Sequence, residues 1–242
     1  MISAIIPAYN EEKTIGKIIT NTKKYVDKVI VVDDGSTDKT SEIAIKKGAI
    51  LIKHKRNYGV GRATRDGFKR ALSIGSNYII TIDADGQHFP SDIPKFINKL
   101  NQGYDFVIGR RNLSRYPIIK RIGNFALNII INFISGTAIP DTESGFRGYN
   151  AKKLKKMYLT ADRYEICDEI IFEVGRNKLK WTYVPIKSYV YTKGTNILDG
   201  MRILKFMLRR RKRNWKSYFV DLRYVLLHWK KIYKSKGNSK QL

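Results

Sequence analysis

Several features are scarce or missing in this chain of 242 residues, and each absence excludes a class of protein. Cys167 is its one cysteine, so an internal disulfide framework is excluded, and we expect the thiol to act as a small buried hydrophobe. No uninterrupted apolar run reaches the roughly 18 residues that a membrane-spanning helix needs. The N-terminal sequence MISAIIPAYNEE has no basic region before Pro7, so we expect no secretory signal and a cytoplasmic location.

Acidic residues are also scarce, with 21 Asp and Glu against 47 Lys and Arg and a net charge of +26. This surplus points to nucleic acid, an anionic membrane surface or an anionic substrate. A hydrophobic fraction of 43% can fill a large core, which excludes general disorder.

Half of the surplus charge lies at the end of the chain, where residues 201–242 hold 14 basic residues and one acid. Aromatic and apolar residues alternate with these cations, which predicts two basic amphipathic helices over residues 196–242. Such helices suit an anionic bilayer surface. Two alternatives are an apolar stripe packed on the rest of the protein and a nucleic-acid surface. No nucleic-acid motif supports the second, so no nucleic-acid partner is expected.

Short apolar segments alternate with segments of helical spacing over the first hundred residues, which predicts an α/β fold with a mostly parallel sheet. The near-continuous apolar strands indicate that helices cover both faces of this sheet. The strands are predicted at Ile2–Ile6, Val29–Val32, Ala49–Ile52, Tyr78–Ile82 and Phe106–Ile108. The helices are predicted after Asn10, from about Asp38, from Gly61 to Ile74 and after Pro90.

Beyond Ile108 the alternation weakens, and residues 115–136 form one predicted helix of unusual composition. Asn124, Asn128 and Asn132 give this apolar segment one polar stripe at four-residue spacing. The pattern leaves two interpretations open: a buried helix with a polar stripe, or a helix at a membrane interface. The segment DTESGFRGYN is then predicted as a loop, 163–177 as a helix and 180–191 as a strand.

Paired carboxylates follow the fourth predicted strand, in the sequence Asp83-Ala84-Asp85. Two carboxylates one residue apart in an extended turn can approach one divalent cation and the phosphates bound to it, and Gln87 offers another oxygen. Mg²⁺ and Mn²⁺ prefer such oxygen ligands and take the remaining ligands from a substrate. If the pair stood alone, acids in an ordinary turn would be the alternative explanation.

A second acidic pair, Asp33-Asp34, ends the second predicted strand, and Gly35 then permits a tight turn. The strand before it ends in the sequence PAYNEE, where Tyr9 offers a ring for stacking. Because ligands bind at the carboxyl ends of parallel strands, we expect these segments and the Asp83 turn to form one site.

Six segments in this order resemble the inverting nucleotide-sugar glycosyltransferases of family 2, which have a GT-A fold. They cover roughly residues 1–190. The sequence is most similar to the subgroup of dolichyl- or polyprenyl-phosphate sugar transferases, of the dolichyl-phosphate mannose synthase type, through DADGQHFP and SGFR. The matching segments are IIPAYNEE, VVDDGSTDKT, residues 57–67, DADGQHFP, DTESGFRGYN and ICDEIIFEVGRNKLKWTYVPI.

The resemblance implies a role for each matching position. Asp83, Asp85 and Gln87 would bind Mg²⁺ or Mn²⁺, with Arg147 holding phosphate groups. Arg110, Arg111, Lys120 and Lys193 are weaker candidates for anion contacts near the acceptor. Thr192 stands where this subgroup often has an arginine, which weakens phosphate binding there. The expected nucleotide-sugar contacts are Pro7, Tyr9, Glu11, Asp33, Asp34, Asp83, Ala84, Asp85 and Arg147.

The resemblance also implies metal-dependent, inverting transfer of a hexose from GDP-mannose or UDP-glucose to a polyprenyl or dolichyl phosphate. This would take place on the cytosolic face of the cell membrane. A lipid phosphate is already anionic and needs cations rather than a general base. If a sugar hydroxyl is the acceptor instead, Asp141 and Glu143 are the candidate bases. Outside enzymes, the alternative is an inactive nucleotide- or nucleic-acid-binding module. We expect a catalytic domain over residues 1–195 and a membrane-associating tail over 196–242.

Overall fold

The computed structural model describes residues 1–189 and 205–207, except for the side chains of residues 115 and 120. Every strand and helix predicted before Arg110 is present, with ends that differ by a few residues. The strands are β1 (Ile2–Ala8), β2 (Lys28–Asp33), β3 (Ile50–Lys53), β4 (Tyr78–Thr81), β5 (Phe106–Arg110), β6 (Arg147–Asn150) and β7 (Trp181–Pro185). The α-helices are α1 (Ile15–Thr22), α2 (Thr40–Lys46), α3 (Val60–Ser73), α4 (Ile93–Asn101), α5 (Ile118–Ser135), α6 (Ala151–Leu154) and α7 (Ile166–Arg176).

These strands form one mostly parallel sheet in the order β3-β2-β1-β4-β6-β5-β7. Strand β6 runs antiparallel between β4 and β5. The prediction of a loop over DTESGFRGYN is therefore wrong for Arg147–Asn150. Its sequence RGYN has no apolar alternation, and hydrogen bonding to a neighbour on each side makes it a strand. Strand β7 ends at Pro185, well before the predicted end at residue 191.

Helices cover both faces of the sheet, as the continuous apolar strands predict. In β2, Ile30 and Val32 belong to one buried cluster, and Val29 and Val31 belong to the cluster on the other face. All four are at most 2% exposed. Burying one such side chain contributes about 1.5–3 kcal/mol, so this two-sided burial fixes the centre of the sheet.

Helix α3 approaches β1 closely at Gly67. A Cβ atom at this position would lie 2.4 Å from Cγ2 of Ile5, which is fully buried in β1. The glycine therefore allows the helix to pack directly on the central strand. A similar close contact joins α5 and α7, where a Cβ atom on Gly175 would lie 1.8 Å from the main-chain oxygen of Ser135.

Helix α5 is the helix predicted over 115–136, and the structure buries two of the three asparagines in its polar stripe. Asn128 and Asn132 are buried, and so are Ile131 and Ile134 beside them. Other apolar residues of the same helix are exposed, beginning with Ile118. The interpretation of a buried polar stripe thus agrees with the structure, while part of the apolar surface lies on the outside.

Residues 205–207 form a short helical segment that returns to the core. Met207 is fully buried, and Phe206 packs against the same cluster. The remainder of the predicted basic tail lies outside the described residues, so the domain boundary at residue 195 stays a prediction. Within the described part of the chain, no helix has both the length and the apolar content needed to cross a membrane.

Replacing Gly67 by alanine tests the close packing of α3 on β1. The new methyl group would overlap Ile5, and overpacking of this kind costs about 1–3 kcal/mol. The matched control is Gly123→Ala in α5, where nothing lies within 4 Å of the added Cβ. We expect a lower thermal midpoint for Gly67→Ala and an unchanged or higher one for the control. Equal midpoints would show that the contact at Gly67 is unimportant.

Candidate active site

The residues predicted to carry the chemistry lie at one edge of the sheet. Parallel strands end at the same edge, and here β1 ends at Ala8, β2 at Asp33 and β4 at Thr81. Because β6 is antiparallel, it begins at this edge with Arg147, which pairs with Thr81. The structure thus brings the three predicted segments and the SGFR loop together.

The loops after β1 and β2 are held together through Asn10. Its main-chain N–H donates to Oγ of Ser36 at 2.9 Å, and its Oδ1 accepts from the N–H of Thr37 at 2.9 Å. Asn10 adopts φ 55°, a left-handed conformation that asparagine tolerates. The neighbouring Tyr9 ring is 45% exposed, so it stands on a fixed loop with a face open to a ligand.

The other nucleotide contacts predicted in β1 and its loop take different positions. Pro7 lines a cleft beside Asp83. The main-chain N–H of Glu11 donates to Oγ1 of Thr40 at 2.8 Å, and its carboxylate accepts from Oγ1 of Thr14 at 2.8 Å. Glu11 therefore connects the start of α1 with the start of α2.

Asp33 has a structural part in this arrangement. It is fully buried, and its carboxylate accepts from the main-chain N–H of Ser36 at 2.8 Å and from the hydroxyl of Ser41. These bonds close the turn after β2 and attach α2 to it. A contact between Asp33 and a nucleotide sugar stays a prediction.

Asp34 holds a loop that lies about twenty residues further along the chain. Its Oδ1 lies 2.7 Å from Nδ1 of His54 and accepts from the N–H of Tyr58 at 3.0 Å. Its Oδ2 accepts from the N–H of Gly59 at 2.7 Å. The carboxylate thus organises residues 54–59 at the edge of the site, and a direct contact between Asp34 and a nucleoside stays a prediction.

The loop over residues 54–59 stacks its own side chains. The ring of Tyr58 meets His54 edge to face, and the guanidinium of Arg56 lies 5.2 Å from the centre of the Tyr58 ring. Nε2 of His54 lies 3.3 Å from the Asp66 carboxylate on α3. His54 therefore stands between two acids, Asp34 and Asp66, which fixes the orientation of its ring.

The turn after β4 brings the three predicted metal ligands together. Oδ1 of Asp85 accepts from the main-chain N–H of Gln87 at 2.9 Å, and Oδ2 accepts from its side-chain amide at 2.5 Å. Ala84 between the two aspartates is buried, while Asp83 and Asp85 are partly accessible. Main-chain pairing of Tyr189 with Gln87 holds the turn from the side of β7.

Positive groups surround Asp83, and its negative charge acts in turn on Asp85. Burial raises the pKa of Asp83, but His88, Arg111 and Arg147 outweigh it and lower that pKa below its ordinary value. Nε2 of His88 lies 3.3 Å from the Asp83 carboxylate. Burial and the charge of Asp83 raise the pKa of Asp85.

This turn fits a divalent cation by the chemistry of its donors. Two carboxylates and an amide oxygen are ligands that Mg²⁺ and Mn²⁺ prefer. The repulsion between Asp83 and Asp85 is relieved by a cation between them. Residues 1–189 and 205–207 contain no group of three or more His, Cys, Asp and Glu side chains arranged to hold a metal. Water or ligand oxygens would complete the coordination.

Arg147, predicted to hold phosphate, is used by the protein itself. It is 1% exposed, and it donates to the main-chain oxygens of Ser144, Thr142 and Cys167 at 2.7–2.9 Å. These bonds fix the loop before β6 on α7. The buried guanidinium still lines the cleft beside Asp83, but the structure gives it a positioning role, and the contact with phosphate stays a prediction.

Gly145 in the same loop touches Asp83 directly. A Cβ atom on Gly145 would lie 2.5 Å from Oδ2 and 2.7 Å from Oδ1 of the Asp83 carboxylate. No larger residue fits here without displacing this carboxylate. No role for Gly145 was predicted from the sequence, because a glycine in a loop gives no sign of which residue it approaches.

Only some of the residues that are weaker candidates for anion contacts lie within the described part of the chain. Arg111 forms a bidentate ion pair with Asp141, at 2.9 Å and 2.8 Å. Although burial opposes it, the charge of Asp141 raises the pKa of Arg111. Arg110 lies over the ring of Tyr183 at 5.4 Å. The side chain of Lys120, and Thr192 and Lys193 entirely, lie outside the described residues.

The ion pair also bears on the choice of a general base. Burial raises the pKa of Asp141, but Arg111 outweighs it and lowers this pKa below its usual value. A carboxylate held in two charge-assisted hydrogen bonds is a poor proton acceptor. The proposed role of Asp141 as a base is therefore not supported by its geometry.

Glu143 and Asp168 form a second pair of acids behind the cleft. Burial and the charge of Glu143 raise the pKa of Asp168 well above its ordinary value, and burial raises that of Glu143. Asp168 is fully buried, and no N–H or other fixed donor reaches its oxygens. A proton shared between the two carboxyl groups satisfies both. The adjacent Cys167 is partly buried, and burial raises the pKa of its thiol to about 12.

A mostly parallel sheet of this order, flanked by helices and with acidic turns where its parallel strands end, is the architecture of the GT-A fold. The model of the family described as "Glycosyl transferase family 2" matches residues 3–158. This match spans more than half of the chain. The protein therefore belongs to glycosyl transferase family 2, and it is an enzyme of the glycosyltransferase class.

Relatives and solved structures agree with this assignment. An uncharacterized protein of Methanocaldococcus jannaschii is 44% identical over 84% of this chain and 89% of its own. The UDP-N-acetylglucosamine–dolichyl-phosphate N-acetylglucosaminyltransferase of Methanococcus voltae is 36% identical over 86% of this chain and 95% of its own. Glucosyl-3-phosphoglycerate synthase from Mycobacterium tuberculosis, solved with UDP, is similar in fold, with a TM-score of 0.70 at 21% identity over 87% of this chain and 79% of that one.

Gly145→Ala tests the contact between the SGFR loop and Asp83. The added methyl group displaces the carboxylate, and misplacing a catalytic group by about 1 Å can cost about 100-fold in rate. We expect sugar transfer to fall by about that factor, with the thermal midpoint little changed. Gly123→Ala, which meets open space, serves as the control. Full activity of Gly145→Ala would contradict the close contact.

Asp168→Asn tests the shared proton. The pKa of Asp168 in the folded protein lies above the value of about 3.9 expected in the unfolded chain. As the pH rises past about 3.9, the unfolded chain releases this proton first, so the free energy of unfolding falls. Asparagine cannot ionise and can still donate to Glu143. We expect the variant to be more stable than the wild type by about 1–2 kcal/mol at neutral pH, with no difference near about pH 4. Urea unfolding at several pH values measures this, with the exposed Glu42→Gln as control. A pH-independent difference would contradict the shared proton.

Proposed function

We propose that this glycosyltransferase moves a hexose from a nucleotide sugar to a polyprenyl or dolichyl phosphate, with inversion and with a divalent metal. The observation that carries the proposal is the turn of Asp83, Asp85 and Gln87 at the sheet edge, beside the loops of Tyr9 and Asp34. A relative from Haloferax volcanii named dolichyl-phosphate hexose transferase, 29% identical over 88% of this chain and 96% of its own, supports the choice of acceptor.

The donor is a nucleotide sugar whose nucleoside lies over the loops after β1 and β2. The exposed ring of Tyr9 offers a stacking surface, and Asp34 fixes the neighbouring loop through the N–H groups of Tyr58 and Gly59. GDP-mannose and UDP-glucose are the donors we propose. The name of the Methanococcus voltae relative adds UDP-N-acetylglucosamine to those worth testing.

Mg²⁺ or Mn²⁺ would be held by Asp83, Asp85 and Gln87. Such a cation supplies positive charge for the departing diphosphate. Structures of glucosyl-3-phosphoglycerate synthase, one of them solved with Mn²⁺ and UDP-glucose, support a divalent metal. In this chain Gly145 and His88 keep the Asp83 carboxylate in place and ionised.

A lipid phosphate suits the acceptor side of the site. Its phosphate is anionic at neutral pH, so it attacks without a general base and needs only to be positioned. Asp141, one of the two candidate bases, is bound to Arg111 and unsuited to accept a proton. If the acceptor is a sugar hydroxyl instead, Glu143 is the remaining candidate, because its raised pKa suits a base.

The transfer is proposed to occur at the cytosolic face of the cell membrane, with the protein bound peripherally. The basic residues of 201–242, 14 against one acid, support attraction to an anionic leaflet. Nucleic acid is not a proposed partner, because the positive charge is already explained by phosphate ligands and lipid.

A donor screen with a polyprenyl phosphate acceptor tests the proposal. We expect a lipid-linked sugar with at least one of GDP-mannose, UDP-glucose and UDP-N-acetylglucosamine, and its loss with EDTA. Asp85→Asn should lose at least about 100-fold in turnover while remaining folded, because one carboxylate ligand is removed. Glu42→Gln, an exposed acid on α2, should keep full activity.

Three results would contradict parts of this proposal. Turnover in EDTA, or full activity of Asp85→Asn, would exclude the metal site. Transfer to a sugar hydroxyl but not to lipid phosphate, together with inactivation by Glu143→Gln, would favour the hydroxyl acceptor. Nucleotide binding without transfer to any acceptor would favour an inactive binding module.

A further inference from the structure

Helix α5 buries polar side chains on its inner side and exposes apolar ones on its outer side, which an ordinary surface helix does not do. Nδ2 of Asn128 donates to the main-chain oxygen of Pro140 at 2.9 Å. Nδ2 of Asn132 donates to the oxygen of Ile139 at 2.8 Å, and its Oδ1 accepts from the N–H of Ile139 at 2.8 Å. A helix that borders on water places such polar side chains outside. Here they face the protein.

Isoleucines occupy the outer side of the same helix. Ile118, Ile119 and Ile122 are 67%, 81% and 62% exposed. Ile118, Ile122, Ala126 and Ile130 follow one another at four-residue spacing and are all exposed, so they form one row along the helix. Single exposed apolar residues are ordinary, but a continuous apolar row marks an interaction surface. We call Ile118, Ile119, Ile122 and Ile130 the outer face of α5.

The positive charge around the outer face favours an anionic partner. No Asp or Glu occurs between Asp105 and Asp141, whereas this stretch contains five Lys and Arg residues, of which Arg111 is paired with Asp141. An apolar helix face within a basic, acid-free segment is complementary to anionic lipid.

Two other occupants of the outer face would meet electrostatic repulsion. A second copy of this chain carries the same net charge of +26. Residues 208–242 of the chain itself contain 12 Lys and Arg residues and one acid. Either would bring cations against the cations of α5, which opposes association.

The outer face is connected rigidly to the active site. Asn128 and Asn132 hold Ile139 and Pro140, and the next residue, Asp141, forms the ion pair with Arg111 beside Asp83. The far end of α5 is fixed on α7 by the close contact at Gly175. A surface bound to the outer face therefore has a fixed orientation relative to the cleft.

We propose that the outer face of α5 inserts into the headgroup region of an anionic bilayer and sets the orientation of the enzyme on the membrane. Membrane docking at this face does not depend on the proposed function. If the acceptor is a lipid phosphate, as the proposed function has it, docking also places the cleft at the height of an acceptor phosphate in the same bilayer.

Vesicle binding by the full chain tests the docking. A triple variant carries Ile118→Ser, Ile119→Ser and Ile122→Ser together. A single variant, Ile119→Ser, is compared with the control Ile45→Ser, because Ile45 is an isoleucine on α2 that is also largely exposed, at 62%. Vesicles of phosphatidylcholine and phosphatidylglycerol are sedimented with each protein. We expect the triple variant to partition at least about tenfold less than wild type, Ile119→Ser severalfold less, and Ile45→Ser equally. Unchanged partition of the triple variant overturns the proposal.

A local probe separates lipid from the other occupants. Cys167→Ala removes the one native thiol, and Ile119→Cys or Ile45→Cys then carries an environment-sensitive fluorophore. The probe at residue 119 should report water in the free protein and an apolar environment when vesicles are added. The probe at residue 45 should not change. An apolar signal at 119 without vesicles would show that a second copy or the chain's own tail covers this face, and would overturn the proposal.

Activity measurements keep this proposal distinct from the proposed function. With a short-chain, water-soluble polyprenyl phosphate, the triple isoleucine variant should turn over as the wild type does. With a long-chain acceptor embedded in vesicles, it should lose at least about tenfold. If wild type transfers sugar to neither acceptor, the proposed function fails while vesicle binding still decides the role of α5. If wild type is active and the variant is equally active on vesicles, the docking proposal alone fails.

Discussion

Two-sided burial of the central strands is the constraint on which the rest of the structure depends. Strands β1, β2 and β4 are enclosed by α1, α2 and α4 on one face and by α3, α5 and α7 on the other. Apolar side chains fill most of both faces, so charged groups that could carry chemistry stand where the strands end. The acidic turns after β2 and β4 lie at the same edge of the sheet for this reason, with β1 between the two strands.

Electrostatics at that edge follows a consistent pattern, in which each buried acid is either paired or protonated. Asp34 binds the N–H groups of a loop and His54, Asp141 binds Arg111, and burial beside Glu143 raises the pKa of Asp168 well above its ordinary value, which favours its protonated form. Asp83 and Asp85 differ, because they are partly accessible and repel each other. The two carboxylates repel each other, and a cation would relieve this repulsion. Among the acids of the described structure, this pair is therefore the best candidate to bind a cation.

Much of the fold was predictable because its signals are local. Apolar runs such as Val29–Val32 predict buried strands, and positions such as Gly48 after α2 predict helix ends. Strand β6 was not predictable from RGYN, since its pairing with β4 and β5 joins residues distant in sequence. The part played by Arg147 was hidden for the same reason. A phosphate-binding arginine and one that holds its own loop are identical in sequence.

The sequence by itself determined the family and the class of fold, and it predicted the sheet edge and the acids Asp83 and Asp85 of the candidate site, because all of these follow from short motifs and their order. Only the tertiary structure decided which charged groups remain available to a ligand, because pairs such as Arg111 with Asp141 form across a separation of 30 residues. It also decided the orientation of α5. A stripe of asparagines looks the same in sequence whether it faces water or the protein, and only packing against residues 139–140 turns the isoleucines outward.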